Sequence, residues 1–195
     1  MTAHDITLEG HGIRLSPARA ADAAEAWPLT DAELWSRMTT PWADSVEAYA
    51  ARVEQQRATP GLYAFTVRDA DTGEVRGATT FYEYVPAQRR VEIGTTWYGR
   101  RFQGGRTNPA AKFLLLTHAF AQWEVNRVAL RCDARNERSA RAIERLGATR
   151  EGRLRQHRIA PDGSVSDTLY FSILRDEWAA VRAGLEERLS KTRTR

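Results

Sequence analysis

The residues best suited to chemistry lie in one short stretch, Arg100-Arg101-Phe102-Gln103-Gly104-Gly105-Arg106-Thr107-Asn108. Two adjacent glycines can take backbone angles closed to other residues, and three arginines concentrate positive charge around them. Behind the stretch Phe113, Leu116, Phe120 and Trp123 recur at three- and four-residue spacing, as one buried helix face requires. A helix start carries unbonded N–H groups and the positive end of a dipole, so loop and helix together suit an anionic group. Asn108 is a favoured N-cap residue, and Pro109 suits a first turn, where its missing N–H would have had no partner. A turn without a ligand is the plainer alternative, since many glycine pairs between a strand and a helix do nothing more. The stretch is no Walker loop: no Gly-Lys-Ser/Thr closes it, and it lacks the spaced glycines of a dinucleotide fingerprint.

The loop must be held between regular elements, and the pattern around it supplies them. Arg90 to Tyr98 reads as the strand that enters it. Tyr63, Phe65 and Val67 alternate, Asp71-Thr72-Gly73 turns, and Val75 to Val85 alternates again, so a hairpin precedes that strand. Further upstream, Ile6 to Glu9 and Ile13 to Leu15 suggest short strands, followed by helices over Arg19 to Trp27, Leu29 to Arg37 and Ser45 to Arg57. Pro28 is expected to end the first, and Asp44 or Ser45 to cap the third. Downstream come a strand over Arg127 to Cys132, a helix over Asn136 to Leu146 and strands over Glu151 to Ile159 and Ser166 to Leu174. A terminal helix over Asp176 to Leu189 completes the order.

With 195 residues, 42% of them hydrophobic, the chain can bury one substantial core, and no linker divides it. A single domain over residues 1–189 with a basic tail at 190–195 is expected. The formal charge of +4 makes acidic ligands or nucleic-acid-bearing assemblies acceptable partners without choosing between them. Cys132 is the only cysteine, which excludes an internal disulfide. No segment approaches the roughly 20 apolar residues of a membrane-spanning helix, and no signal-peptide run opens the chain, so a cytoplasmic protein is expected. His4, His11 and His118 lack partners at ligand spacing, so no metal site is expected.

The order strand, arginine-glycine loop, amphipathic helix, strand, then Asp133-Ala134-Arg135-Asn136-Glu137-Arg138-Ser139 and Leu146-Gly147-Ala148 resembles the GNAT N-acetyltransferases. Within them it is similar to the ribosomal-protein-alanine N-acetyltransferase branch, of RimJ/RimL type. The motifs are Glu92-Ile93-Gly94, Asn136-x-x-Ser139 and Arg145-Leu146-Gly147-Ala148-x-x-Glu151-Gly152, and the likeness runs from Ile13 to the terminal helix. It implies a mixed α/β fold (α+β): a central, mostly antiparallel, twisted sheet of about seven strands, splayed at a cofactor cleft, with helices on both faces. It also implies acetyl-coenzyme A (acetyl-CoA) as cosubstrate and a primary amine as acceptor.

The family's pyrophosphate loop, Gln/Arg-x-x-Gly-x-Gly/Ala, falls on Gln103, Gly104, Gly105, Arg106, Thr107 and Asn108, with Arg106 and Asn108 in the small-residue positions. By resemblance, Trp97 and Tyr98 offer main-chain groups to the pantetheine arm, Asn136 contacts it, and Ser139 sits near the thioester sulfur. Capping of the following helix is the alternative for Asn136 and Ser139. Acetyl transfer needs a neutral amine, a stabilised oxyanion and a hydrogen-bond partner for the departing thiolate. Ser139 is the candidate for the last, and Glu92, acting through water, for deprotonation; pairing of Glu92 with a cross-strand arginine is its alternative. A second carboxylate used by some relatives would fall near Arg158, where His157 is the nearest titrating substitute. Phe81, Tyr82, Glu83 and Tyr84, with Trp35 and Trp42, are candidates for the acceptor pocket, although core cover explains the tryptophans as well. The acceptor is a protein N-terminus or, alternatively, an antibiotic- or polyamine-type small amine; a non-catalytic CoA-binding module is the third reading. A second copy of the chain is a candidate partner, while neither membrane nor direct nucleic-acid binding is expected.

Overall fold

The computed structural model describes residues 4–191. Two short strands, β1 (Leu8–Gly10) and β2 (Ile13–Pro17), lead to helices α1 (Ala23–Ala26), α2 (Ala32–Trp35) and α3 (Val46–Ala58). Strands β3 (Tyr63–Asp69), β4 (Val75–Val85) and β5 (Arg90–Tyr98) then run antiparallel into α4 (Thr107–Ala121). After it come β6 (Arg127–Asp133), α5 (Glu137–Glu144), β7 (Thr149–Ile159), β8 (Val165–Leu174) and α6 (Trp178–Lys191). All eight strands, rather than about seven, form one sheet in the order β1-β2-β3-β4-β5-β6-β8-β7.

Local chemistry accounts for the boundaries. The Asp69 carboxylate accepts the amides of Asp71 and Thr72 at 3.0 and 2.8 Å, closing the β3–β4 turn. Ser45 caps α3 by accepting the Ala48 amide, and Asp31 caps α2 by accepting that of Leu34. The helix expected over Arg19 to Trp27 is instead a 3-10 turn at Ala20–Asp22, the single turn α1 and a second 3-10 turn at Trp27–Leu29. Pro28 lies inside that last turn, where its missing N–H costs nothing. The helix expected over Leu29 to Arg37 shrinks to α2, and α6 runs two residues past Leu189. Of the expected tail, residues 192–195 lie outside the described residues.

Among the described residues only β5 and β6 run parallel, and α4 is the crossover such a pair demands. Ala110, Leu115, Leu116 and Ala119 on α4 pack with Phe65, Phe81, Ile93, Leu130 and Phe171 of the sheet, and α6 adds Val181, Leu185 and Leu189 from behind. A second cluster on the opposite face joins Ala26, Trp35, Tyr49 and Val53 to Ala64, Val75 and Trp97. It contains no residue of β6, β7 or β8. The first three helices thus cover half of that face and leave the half around β5, β6 and β8 to polar side chains.

Candidate active site

Pairing between β5 and β6 runs from Arg90↔Arg127 to Ile93↔Leu130 and stops. Both strands continue, β5 to Tyr98 and β6 to Asp133, with no partner across the gap. The divergence starts at a bulge: Thr80 faces Gly94 and Ala78 faces Trp97, so Thr95 and Thr96 stand opposite the single residue Thr79. Thr95 has φ +46°, left-handed geometry that a β-branched residue rarely takes. The expected splay beside the loop is therefore present, and two strand edges with unpaired main-chain groups line it.

From Tyr98 the chain enters the arginine-glycine loop. Gln103 Nε2 donates to Tyr98 O at 2.8 Å and Arg138 donates to Gln103 Oε1, so this side chain ties the loop to the strand end and to α5. The Tyr98 carbonyl thereby accepts one hydrogen bond from within the chain. Gly104 has φ +76°, and a Cβ added at Gly104 or Gly105 would meet nothing within 4 Å. Among the described residues, the amides of Gly104, Gly105, Arg106, Thr107 and Asn108 have no hydrogen-bond acceptor. The helix begins earlier than Asn108 suggests: Arg106 is the N-cap residue, and Thr107, Asn108 and Pro109 form the first turn. No side chain caps the helix, so its first amides are left without a local acceptor.

The three arginines separate. Arg100 is bound to Asp31 and Glu33, and Arg101 to Glu74, so neither is the free cation its position suggests. Arg106 makes no hydrogen bond or ion pair among the described residues, although its Nε is enclosed. It is the cation left uncommitted at the helix terminus.

Beyond β6, Asn136 caps α5 by accepting the Ser139 amide at 3.0 Å, so the capping role is realised for both residues. The Ser139 hydroxyl lies against Cys132; burial pushes that thiol's pKa up and the Ser139 contact partly offsets the rise. Ser139 is only partly buried and lies beside Cys132 at the end of β6, where β5 no longer pairs with that strand. Asp133 fixes the turn between the two elements, accepting from Arg135 and from Ser166 Oγ at 2.8 Å each.

Glu92 is 3% exposed. Tyr82 donates its hydroxyl to Glu92 Oε1, and Arg131 Nε stands 2.9 Å from the same oxygen, so the cross-strand arginine is present. Burial raises the Glu92 pKa, against the pull of Tyr82 and Arg131. Arg131 also donates to Tyr170 Oη at 2.9 Å and to Tyr82 Oη at 3.1 Å. A polar band of Tyr82, Glu92, Arg131 and Tyr170 thus crosses the half-face that the helices leave open. His157 borders it, with Nδ1 3.1 Å from Thr168 Oγ1. Arg131 and Tyr170 escape sequence reading because only the β5–β6–β8 register brings them to Glu92; Tyr82 sits opposite Glu92 in the β4–β5 pairing.

The other pocket candidates are mostly core. Phe81 is fully buried, Tyr84 stacks on Trp123, Trp35 is 3% exposed, and Trp42 stacks on Trp27. Trp97 packs with Trp35 and Tyr49 while its main chain pairs with Ala78. Among the described residues no three His, Cys, Asp or Glu side chains group to hold a metal, and no helix is long and apolar enough to cross a membrane.

A strand pair that parts beside a loop of unbonded amides can be compared with proteins of known family. The model of the acetyltransferase (GNAT) domain matches residues 13–149. The chain belongs to the GNAT acetyltransferases. Within that family it is 34% identical over 106 residues to the Bacillus subtilis (strain 168) protein provisionally named ribosomal N-acetyltransferase YdaF. That stretch is 54% of this chain and spans only 57% of the relative's length. A crystal structure of a provisionally assigned acetyltransferase from T. thermophilus shares 37% identity over 97% of this chain and 100% of its own, with a TM-score of 0.88. Mycobacterium smegmatis RimJ, solved in complex with CoA-disulfide, shares 25% identity over 96% and 98%, with a TM-score of 0.80. These names support the RimJ/RimL-type branch of the GNAT enzymes. The donor set of this GNAT member also fits a CoA diphosphate, an anion that binds main-chain N–H groups at a helix start.

Proposed function

We propose that the chain transfers an acetyl group from acetyl-CoA to a primary amine, with the N-terminus of a protein of ribosomal type as the acceptor class. The observation that carries this reading is the parting of β5 and β6 after Ile93↔Leu130, leading into five loop amides that have no acceptor among the described residues. Acetyl-CoA, when bound, supplies an acyl group activated as a thioester. This chain's residues do the rest. The amides of Gly104, Gly105, Arg106, Thr107 and Asn108 hold the diphosphate, and the Arg106 guanidinium adds the charge that Arg100 and Arg101 have committed elsewhere. Around Trp97 and Tyr98 the main-chain groups of β5 that do not pair with β4 are offered to the cleft, and the Asn136 amide nitrogen, which capping leaves unused, is a side-chain donor just beyond the end of β6.

Ser139 holds a hydroxyl at the end of β6, where it donates a hydrogen bond to the sulfur. Glu92, acting through a bridging water, accepts the proton that the amine must lose. Its raised pKa makes it a better base than an exposed carboxylate. The Tyr82 hydroxyl and Arg131 guanidinium keep it oriented. The names of YdaF and RimJ support the protein N-terminus over a small amine, and the open polar half-face offers room for an extended peptide.

Purified protein tests the reading in two steps. Calorimetry with acetyl-CoA should show saturable binding, and its absence would remove the reading. A thiol-release assay across N-terminal peptides and small amines should then show turnover of peptides; turnover confined to small amines would overturn the acceptor class.

A further inference from the structure

Lys112 lies in the second turn of α4, 4% exposed, among apolar neighbours that include Ala111 and Phe113. Among the described residues its ammonium has no carboxylate within ion-pair distance. Nζ donates to Thr96 Oγ1 at 2.9 Å and stands 3.4 Å from Thr79 Oγ1. The two hydroxyls are 2.8 Å apart, and Thr96 Oγ1 is 3.3 Å from Gly94 O. One proton assignment satisfies the whole relay: Thr96 donates to Gly94, while Thr79 and Lys112 both donate to Thr96.

The relay ends on the bulge where β5 leaves β6. Thr95, between Gly94 and Thr96, holds a φ of +46°, and such strain persists only where the surroundings over-determine it. An amine is an expensive way to fill a core position. Burial alone lowers its pKa to about 7, and a methionine of similar volume would pack there without that penalty. Packing therefore does not account for it, whereas a donor aimed at Thr96 does.

We infer that Lys112 is a positioning residue: through Thr96 it locks the β5 bulge and couples it rigidly to α4, the helix whose start carries the loop amides. The strut thus sets the strand edge beside the acyl group relative to the helix that carries the diphosphate loop, and leaves the loop itself intact. The inference rests on the acetyl-CoA reading for its consequence in catalysis, but the strut itself is testable without cofactor.

Lys112→Met and Thr96→Val each preserve volume and remove one link. In ligand-free protein, hydrogen exchange at residues 95–98 should rise at least about tenfold in either variant, while exchange in β3 and β8 stays within about twofold. With acetyl-CoA and a turned-over amine, kcat should fall at least about tenfold in each, while affinity for CoA, which has no acetyl group, changes less than about threefold. The double variant should be no worse than the poorer single one. Exchange and kcat within about twofold of the parent in both variants, or independent effects that multiply, would overturn the inference. If Lys112→Met does not fold, Thr96→Val alone decides the matter by the same two measurements. Should the parent turn over no amine, the acetyltransferase reading fails, and the exchange result still decides the strut.

Discussion

Glu92 is held between opposing influences. Burial disfavours its charge, while the Tyr82 hydroxyl and the Arg131 guanidinium favour it, and the balance leaves its pKa raised from the ordinary value. If it accepts the amine's proton, kcat/KM rises with pH as Glu92 ionises, and the acidic limb of the profile sits above the usual carboxylate pKa. Glu92→Gln keeps an acceptor for Tyr82 but has no site for the proton. It should lower kcat/KM by about 100-fold and abolish that limb, as initial rates from about pH 5 to about pH 9 will show. At the loop, Arg106 is the cation without an ion pair among the described residues. Arg106→Ala should weaken acetyl-CoA binding by about 1 kcal/mol, roughly fivefold, and flatten its salt dependence, while kcat at saturation changes little. Calorimetry at two ionic strengths checks this, and an unchanged salt slope would remove Arg106 from the site. Neither residue's role was decided by its type. Glu92 was legible as a strand carboxylate, but its partners lie 10 and 39 positions away in sequence and meet it only through strand pairing.

The elements carry the site as much as the side chains do. The turn from β6 into α5 places Asn136 and Ser139, and it is pinned by Asp133, which is 1% exposed. Burial pushes the Asp133 pKa up, but the Arg135 side chain and amide and the Ser166 hydroxyl outweigh it and bring the pKa down to about 2. The linkage sign follows: a depressed acid contributes stability above its unfolded pKa of about 4 and loses it as pH falls through about 2. Asp133→Asn should cost about 2 kcal/mol near neutrality, with the gap from the parent closing between about pH 4 and about pH 2 in urea melts. The loop before α4 depends on geometry instead. Gly104→Ala would clash with nothing but must hold φ +76°, so it should cost about 1–2 kcal/mol and weaken acetyl-CoA binding by disturbing the cradle. The expected helix start at Asn108 was two residues late because capping preference is a local signal, whereas Gln103, tied to Tyr98 O and to Arg138, sets where the chain turns into the helix.

The whole molecule is one sheet whose two helical layers cover it unequally. Because the proposed cofactor bridges β5, β6, α4 and α5, binding should stabilise all four together. At about 100 times Kd the gain is about 2.7 kcal/mol, a rise of roughly 5–10 °C in Tm for a chain of this size, measurable by thermal melts with and without acetyl-CoA. Periodicity, turn residues and the glycine pair were enough for the order of elements and the loop before α4, and the resemblance of three short motifs for the GNAT family, because each is written in residues close together along the chain. Three matters were settled only by tertiary structure. Arg100 and Arg101 turn to Asp31, Glu33 and Glu74, which come from distant segments. Arg131 and Tyr170 join Tyr82 and Glu92 because the parallel β5–β6 register and the antiparallel β6–β8 register superpose them. Lys112 is buried on α4 and meets two threonine hydroxyls under a bulge that no local sequence rule announces. The physical reason is common to all three: covalent neighbours fix backbone preference, while the partner of a charge is chosen by packing among segments far apart in the chain.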